Sequence, residues 1–219
     1  MPERRTIMRR GRRKIENPET ARRILVAAER IFAARGLAGA RTDEIARAAR
    51  VNKAMLYYYF GSKERLYRAV FENLFGQAGK MIQAEMPAQA SPRQAILAFV
   101  EGYFKFRIEN QNYARLMQRM MMEDPKQFRW VAREYFEQGF RRMTRTIRTG
   151  IAQGEFQPLN AEHAMLNIIA MIVFYFSGAP VNSVLLRRGA LQADAVEEHK
   201  RAVIGLLERG LFRKPARLR

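Results

Sequence analysis

Residues 42–60 read TDEIARAARVNKAMLYYYF, and this stretch decides the fold of the N-terminal region. Thr42 is the predicted cap of one short helix, which ends near Ala49. Asn52 is the predicted cap of a second short helix, which ends at Phe60. The pattern therefore predicts two short helices joined by a tight turn, the arrangement of a helix-turn-helix.

The apolar and polar residues of this stretch fall on opposite faces. Two short helices can hold each other only through a few apolar positions, which here are Ile45, Ala46, Val51 and Leu56. On the second helix, Lys53, Ala54 and Tyr58 project outward while Leu56 and Phe60 point inward. A buried apolar face opposite an exposed basic and aromatic face suits a helix that enters the major groove of DNA.

Outward from this stretch, the rest of the chain also has helical periodicity. Asn17-Pro18 begins a helix that Gly36 ends, and Gly61-Ser62 begins a helix whose apolar face runs to Leu74. Further breaks leave helices near 93–109, 112–122, 126–152, 161–177 and 194–211. No run of alternating polar and apolar residues suggests a sheet, so we predict an all-α protein of about nine helices. The expected organisation is a basic arm (1–16), a helix-turn-helix domain (17–62), and a second, larger helical domain (63–219).

The net charge of +19 is unevenly distributed. Residues 1–68 carry 18 Lys/Arg against 7 Asp/Glu, whereas the other 151 residues carry 22 against 14. A basic N-terminal end raises both affinity and association rate for a polyanion. Composition alone favours a nucleic-acid partner only modestly over a basic solvated surface.

Several classes of protein are disfavoured. The chain has no cysteine, which excludes disulfides and thiolate sites. No glycine-rich phosphate loop, nucleophile elbow or Ser/His/Asp set is present, and His163 and His199 lack companions at metal-ligand spacing. No stretch is long enough to span a bilayer. We therefore expect a soluble cytoplasmic protein that is not an enzyme, with no cofactor, metal or membrane partner.

The N-terminal region resembles the tetracycline-repressor (TetR) family of regulators. The resemblance covers residues 21–71, about a quarter of the chain. The features that carry it are Ile31-Phe32-Ala33-Ala34-Arg35-Gly36, Thr42-x-x-Ile45-Ala46, Val51, and Leu56-Tyr57-Tyr58-Tyr59-Phe60-x-x-Lys63-x-x-Leu66. The C-terminal part is similar only in being helical and of suitable length.

The resemblance implies a role for each matching residue. Thr42, Tyr57 and Lys63 are expected to contact phosphates, which fixes register without reading sequence. The positions that reach base edges or the adjacent backbone are Asn52, Lys53, Ala54, Met55 and Tyr58. Lys53 is the best candidate for a guanine contact, although a phosphate contact is equally compatible. Met55 could touch a thymine methyl, but a packing role is favoured.

Arg50 departs from the family pattern, which usually has glycine at this turn because the backbone tends towards positive φ. A side chain there costs roughly 1 kcal/mol. We favour the interpretation that Arg50 accepts this strain and places a cation near DNA, over a slightly different turn. The basic arm could enter the minor groove or remain a solvated tail.

The C-terminal region is unusually rich in aromatic and methionine residues. Such residues often form ordinary core, but at this density they also suit an adaptable apolar pocket. The resemblance places a pocket among the helices at 93–109, 112–122, 126–152 and 161–177. Its predicted lining is Tyr103, Phe104, Tyr113, Met117, Met120, Met121, Tyr135, Phe136, Asn167 and Met171.

The helix from Asn160 to Ser177 is apolar on nearly every face and is expected to be buried all round. With the helix at 194–211 it would form the dimer interface typical of the family. Asn167 is the lone amide within this apolar run, so it needs a partner, either a ligand or the other subunit.

Together these features predict a homodimeric regulator that binds palindromic operator DNA. A small apolar or aromatic effector would shift the fourth helix and release the DNA, which makes the protein a repressor. The alternative is a ligand-independent architectural protein of the nucleoid type, favoured by the basic arm and disfavoured by the aromatic-rich second domain.

Overall fold

The computed structural model describes residues 17–213, and the regular structure there is helical, which confirms the all-α class. The helices are α1 (Pro18–Gly39), α2 (Thr42–Ala48), α3 (Lys53–Phe60), α4 (Lys63–Ala84), α5 (Pro92–Glu109), α6 (Asn112–Glu123), α7 (Pro125–Val131), α8 (Glu137–Ala152), α9 (Ala161–Ser177), α10 (Ala179–Leu185) and α11 (Ala193–Gly210). A π-helical turn, Ala132–Phe136, joins α7 to α8, so the described part has ten separate helices rather than about nine. The predicted basic arm at 1–16 lies outside the described residues.

Most of the predicted helix starts are capped by the expected side chains. Asn17 Oδ1 accepts a hydrogen bond of 3.1 Å from the Thr20 amide, and Asn52 Oδ1 accepts one of 2.8 Å from the Met55 amide. The prediction for Thr42 was wrong. Arg41 precedes α2 without a capping side chain, and Thr42 is the first helical residue.

Two further helices, α4 and α10, differ from the prediction. Helix α4 continues to Ala84, well beyond Leu74, because Gly76 and Gly79 lie within a helix that packs on α5. The contact is close at Gly102, where a Cβ would lie 2.5 Å from the Ile82 Cα. Helix α10 was missed because Pro180 was interpreted as a break, although proline is favoured in the first turn of a helix.

The core consists of two clusters. The first joins α1–α4 to side chains of α5–α7, including Phe106, Tyr113, Leu116 and Met120. The second fills the space between α5, α8, α9 and α11. Because the first cluster crosses residue 62, the N-terminal helices pack continuously onto the C-terminal ones.

Helix α9 is only partly buried in this chain. Leu166 is 50% exposed and Phe174 is 69% exposed. Asn167 is also exposed in this chain, and it has no place in the packed core. Within residues 17–213, no single helix is long and apolar enough to cross a bilayer. Only α9 and α10 taken together reach that length and apolarity, and they meet at a bend of 82°.

Candidate nucleic-acid interface and adjoining cavity

The packing of α2 against α3 is the packing expected of a helix-turn-helix. Ile45, Ala46 and Leu56 are buried, and Val51 is half-buried between the two helices. On the opposite face of α3, Lys53, Ala54 and Tyr58 are exposed, and Asn52 is exposed at the N-terminus. Met55 is half-buried, in keeping with the packing role favoured for it.

Lys53 has an acidic partner that the sequence analysis did not anticipate. Its Nζ lies 2.9 Å from Oδ1 of Asp43, and both side chains are largely exposed. This hydrogen bond with Asp43 raises the pKa of Lys53. To contact DNA, Lys53 must therefore either break its ion pair with Asp43 or keep it and donate a hydrogen bond to DNA from another N–H.

Thr42 and Tyr57, both predicted to contact phosphates, lie side by side. Their hydroxyl oxygens are 3.5 Å apart, and either can donate to the other. Tyr57 is exposed at 42% although it lies next to buried Leu56. Two adjacent hydroxyls at one surface position form a small donor site of the kind that binds a phosphate oxygen.

Lys63, the third predicted phosphate contact, has partners within the chain. Its Nζ donates to the carbonyl oxygens of Ala40 and Ala38, at 3.3 and 3.5 Å. The ammonium thus joins the first turn of α4 to the C-terminal end of α1. It has three donors, so two carbonyl bonds leave one for a phosphate.

Arg50 has a φ of +55°, the left-handed conformation expected at this turn. The carbonyl oxygens of Ala49 and Arg50 accept hydrogen bonds from Nη2 of Arg23, at 2.5 and 2.8 Å. These bonds attach the turn to α1. The Arg50 side chain itself is exposed beside the start of α3.

Most of the predicted pocket residues lie in packed regions. Phe104, Tyr113 and Met120 are buried, and Met117 and Met171 are half-buried against the two clusters. The Tyr103 ring stacks on Phe106. Tyr135 and Phe136 pack against Phe75, with ring centroids 4.6 and 5.0 Å away. Met121 and Asn167 are exposed on the surface.

A cavity of about 300 Å³ lies instead where α5 and α6 face the start of α11. Its lining is Arg107, Ile108, Gln111, Ala114, Phe176, Leu191, Ala193, Val196 and Glu197. The volume is at the lower end of the range for small-molecule sites. None of the ten predicted pocket residues lines this cavity, although Phe104 lines a second cavity, of about 230 Å³, beside Lys200.

Arg107 is the buried charge of this region, and sequence reasoning missed it. Only 3% of the residue is exposed, and burial lowers the pKa of its guanidinium. The sequence does carry a signal, since Arg107 continues the buried stripe of Val100 and Phe104 on α5. A charged residue on the buried face of a helix requires a partner or a function.

Helix α6 connects this cavity region to α1. Gln111, just before α6, and Ala114, in its first turn, line the cavity. Asn112 donates to Glu29 of α1 at 3.3 Å. At the other end of α6, Arg119 donates to two carbonyl oxygens of α1. These hydrogen bonds join both ends of α6 to the first helix of the N-terminal region.

The two histidines and the acidic residues form no metal site in the described part of the chain. No group of three or more His, Asp or Glu residues within 17–213 is placed to hold a metal ion. The His199 ring stacks on Tyr175 with centroids 3.9 Å apart, and its Nε2 lies 3.1 Å from the carbonyl oxygen of Met171. His199 thus has structural contacts.

The fold and the exposed face of α3 define a helix-turn-helix protein. Residues 24–70 match the family model described as bacterial regulatory proteins, tetR family, and residues 92–207 match the tetracyclin repressor-like C-terminal domain. The second match alone spans more than half of the chain. The chain therefore belongs to the tetR family, which confirms the resemblance found in residues 21–71.

The named relatives include both a transcriptional repressor and a transcriptional activator. The repressor NicS of Pseudomonas putida is 36% identical over 100 residues, which are 43% of this chain and 46% of NicS. The activator FasR of Mycolicibacterium smegmatis is 32% identical over 119 residues, 54% of each protein. The chain thus spans about half the length of these curated relatives.

A solved structure shares the fold over nearly the whole chain. It is a transcriptional regulator from Saccharomonospora viridis in complex with choline, with a TM-score of 0.69. The two chains are 20% identical, and the match covers 90% of this chain and all of that one.

Proposed function

We propose that this protein is a homodimeric transcription regulator that binds double-stranded operator DNA and responds to a small-molecule effector. The observation that carries the proposal is the exposed basic and aromatic face of α3 above the buried Leu56. A recognition helix needs this separation, because one face anchors the helix while the other reaches into the major groove.

The roles on this face follow from position. Thr42, Tyr57 and Lys63 hold phosphates on either side of α3, and Arg50 adds a cation at the turn. Lys53 breaks its ion pair with Asp43 and contacts the edge of a guanine base. Asn52, Ala54, Met55 and Tyr58 are the further residues that approach base edges or the neighbouring backbone.

Dimerisation is supported by the apolar surface at the other end of the chain. Large apolar side chains of α9, α10 and α11 are exposed here, namely Leu166, Phe174, Val181, Val184, Leu185 and Leu206. Large exposed apolar side chains on neighbouring helices are typical of an interaction surface. A twofold dimer would set two copies of α3 about one DNA turn apart, roughly 34–36 Å, to match a pseudo-palindrome.

Effector control is supported by the cavity and by its connection to α1. A ligand that binds one arrangement of α6 better than another shifts the equilibrium between them. Because Arg119 fastens α6 to α1, and α1 packs on α4, the shift would alter the spacing of the two recognition helices. We propose that effector binding releases DNA, as in a repressor.

An architectural DNA-binding role is the second candidate, and the net charge of +19 favours it. Mapping of bound DNA across the genome with the full-length protein separates the two. A regulator protects a few short pseudo-palindromes, whereas an architectural protein covers DNA broadly and without sequence preference.

A further inference from the structure

We infer that the effector is a small organic carboxylate, whose carboxylate group binds Arg107 and whose apolar body fills the adjoining cavity. This inference rests on the proposed function, since it names the chemistry of the effector that controls DNA binding.

The first support is that Arg107 has no anionic partner. No carboxylate within residues 17–213 forms an ion pair with its guanidinium, and its buried Nε donates no hydrogen bond there. An arginine stays protonated at neutral pH even where burial lowers its pKa. Burying such a cation without a partner is unfavourable, and an anion that entered the cavity would remove that cost.

The second support is the way in which aromatic rings surround the guanidinium. The Arg107 Cζ lies 4.8 Å from the ring centroid of Tyr113 and 4.9 Å from that of Phe176. These cation–π contacts stabilise the charge through the ring faces. The N–H donors lie in the plane of the guanidinium, and a carboxylate can bind them through two oxygens.

The charge at the other side of the cavity does not neutralise Arg107. Glu197 also lines the cavity, but it forms an ion pair of 3.0 Å with Lys200, and its side chain is about half exposed. Lys200 forms a second ion pair, with Glu101, at 2.8 Å. Lys200 is thus shared by two carboxylates, and neither of them forms an ion pair with Arg107.

The remaining lining suits an apolar body. Besides Gln111, it consists of small or apolar side chains, namely Ile108, Ala114, Phe176, Leu191, Ala193 and Val196. A volume of about 300 Å³ admits one small ring or a short chain with its acid group. The cavity thus combines one buried cation with an apolar wall, the combination that selects an apolar acid over its neutral analogue.

Calorimetric titration of the full-length protein tests this inference with benzoate, phenylacetate and hexanoate, each compared with its primary amide. A charge-assisted hydrogen bond predicts that the wild type binds at least one acid about 10-fold or more tightly than the amide. Arg107→Met removes the charge and keeps an unbranched apolar side chain, so the acid and the amide should then bind equally. Arg107→Lys should keep part of the preference. Lys105→Met, an exposed cation on the same helix, should keep all of it.

The inference is overturned if the wild type shows no preference for any of the three acids, or if Arg107→Met retains the preference. Operator binding by the wild type without any acid is measured in parallel. Loss of operator binding contradicts the proposed function itself, whereas intact operator binding without acid preference contradicts only the chemistry assigned to Arg107.

Discussion

Nε of Arg119, on α6, donates a hydrogen bond of 3.1 Å to the carbonyl oxygen of Ala33, on the last regular turn of α1 before Gly36. Its Nη2 donates to the next carbonyl, Ala34, at 2.8 Å, and its Nη1 pairs with Glu123 at 2.6 Å. Carbonyls at the end of a helix lack partners within the helix. Arg119 donates hydrogen bonds to these carbonyls from a different part of the chain. It thereby connects α6 to the DNA-binding region.

Replacing Arg119 tests this coupling. Arg119→Met should lower the free energy of unfolding by about 1–3 kcal/mol, because charge-assisted bonds to two helix-terminal carbonyls are lost. It should also weaken the effect of any effector on operator release. Urea unfolding measures the first effect. Arg115→Met, an exposed arginine on the same helix, is the control and should change stability by less than about 0.5 kcal/mol. Equal effects of the two changes would contradict the role of Arg119.

The strain at Arg50 can be separated from its charge, because the chain has a second non-glycine residue in the same conformation. Arg50 and Arg187 have φ values of +55° and +53°. Glycine at either position should stabilise the fold by up to about 1 kcal/mol. Only Arg50→Gly should also weaken operator binding and reduce its salt dependence. If both variants bind operator like the wild type, Arg50 does not act as a cation beside DNA.

The ion pair between Asp43 and Lys53 should compete with DNA for Lys53. Asp43→Asn is expected to raise operator affinity by roughly 1.4- to 5-fold, since exposed pairs are worth about 0.2–1 kcal/mol. Glu137→Gln removes the same charge from an exposed pair with Arg141 on α8 and should leave affinity nearly unchanged. Gel-shift titrations at one salt concentration provide the comparison. An equal gain in both variants would mean that net charge alone is responsible.

The dimer interface is best tested at Phe174, which is exposed, rather than at Ile172, which is buried within the protomer. Phe174→Glu should yield a folded monomer, because the charge is solvated in the monomer but buried in the dimer. Operator affinity should fall with dimerisation. Met122→Glu places the same charge on an exposed apolar residue of α6 and should remain dimeric. Sedimentation at micromolar concentration gives the mass, and a dimeric Phe174→Glu protein would contradict this interface.

The sequence predicted local features better than distant packing. The separation of faces on α3 was predictable, because helical spacing acts over a few residues. The left-handed turn at Arg50 was expected from the resemblance to the family, not from the local residues. Helix α4 was predicted too short because its packing on α5 at Gly102 outweighs the weak helix propensity of Gly76 and Gly79.

The cavity could not be located from aromatic content. Tyr135 and Phe136 were expected to line it, but their rings pack on Phe75, which lies 60 and 61 residues before them in the sequence. Which rings fill space and which border a cavity depends on how the helices cross, and periodicity does not encode that. The one feature of the sequence that pointed to this region was the position of Arg107 on the buried face of α5.

The salt dependence of binding to an operator and to a scrambled duplex tests the central claim, that α3 reads DNA while its neighbours hold phosphates. Lys63→Ala should weaken binding to both duplexes and reduce the slope of log affinity against log salt by about one unit. Lys53→Ala should also lower the ratio of operator to scrambled affinity. Lys80→Ala, about 26 Å further along α4, is the control and should change neither. If Lys63→Ala leaves affinity and slope unchanged, and Lys53→Ala keeps the full operator preference, α3 is not the DNA-reading helix.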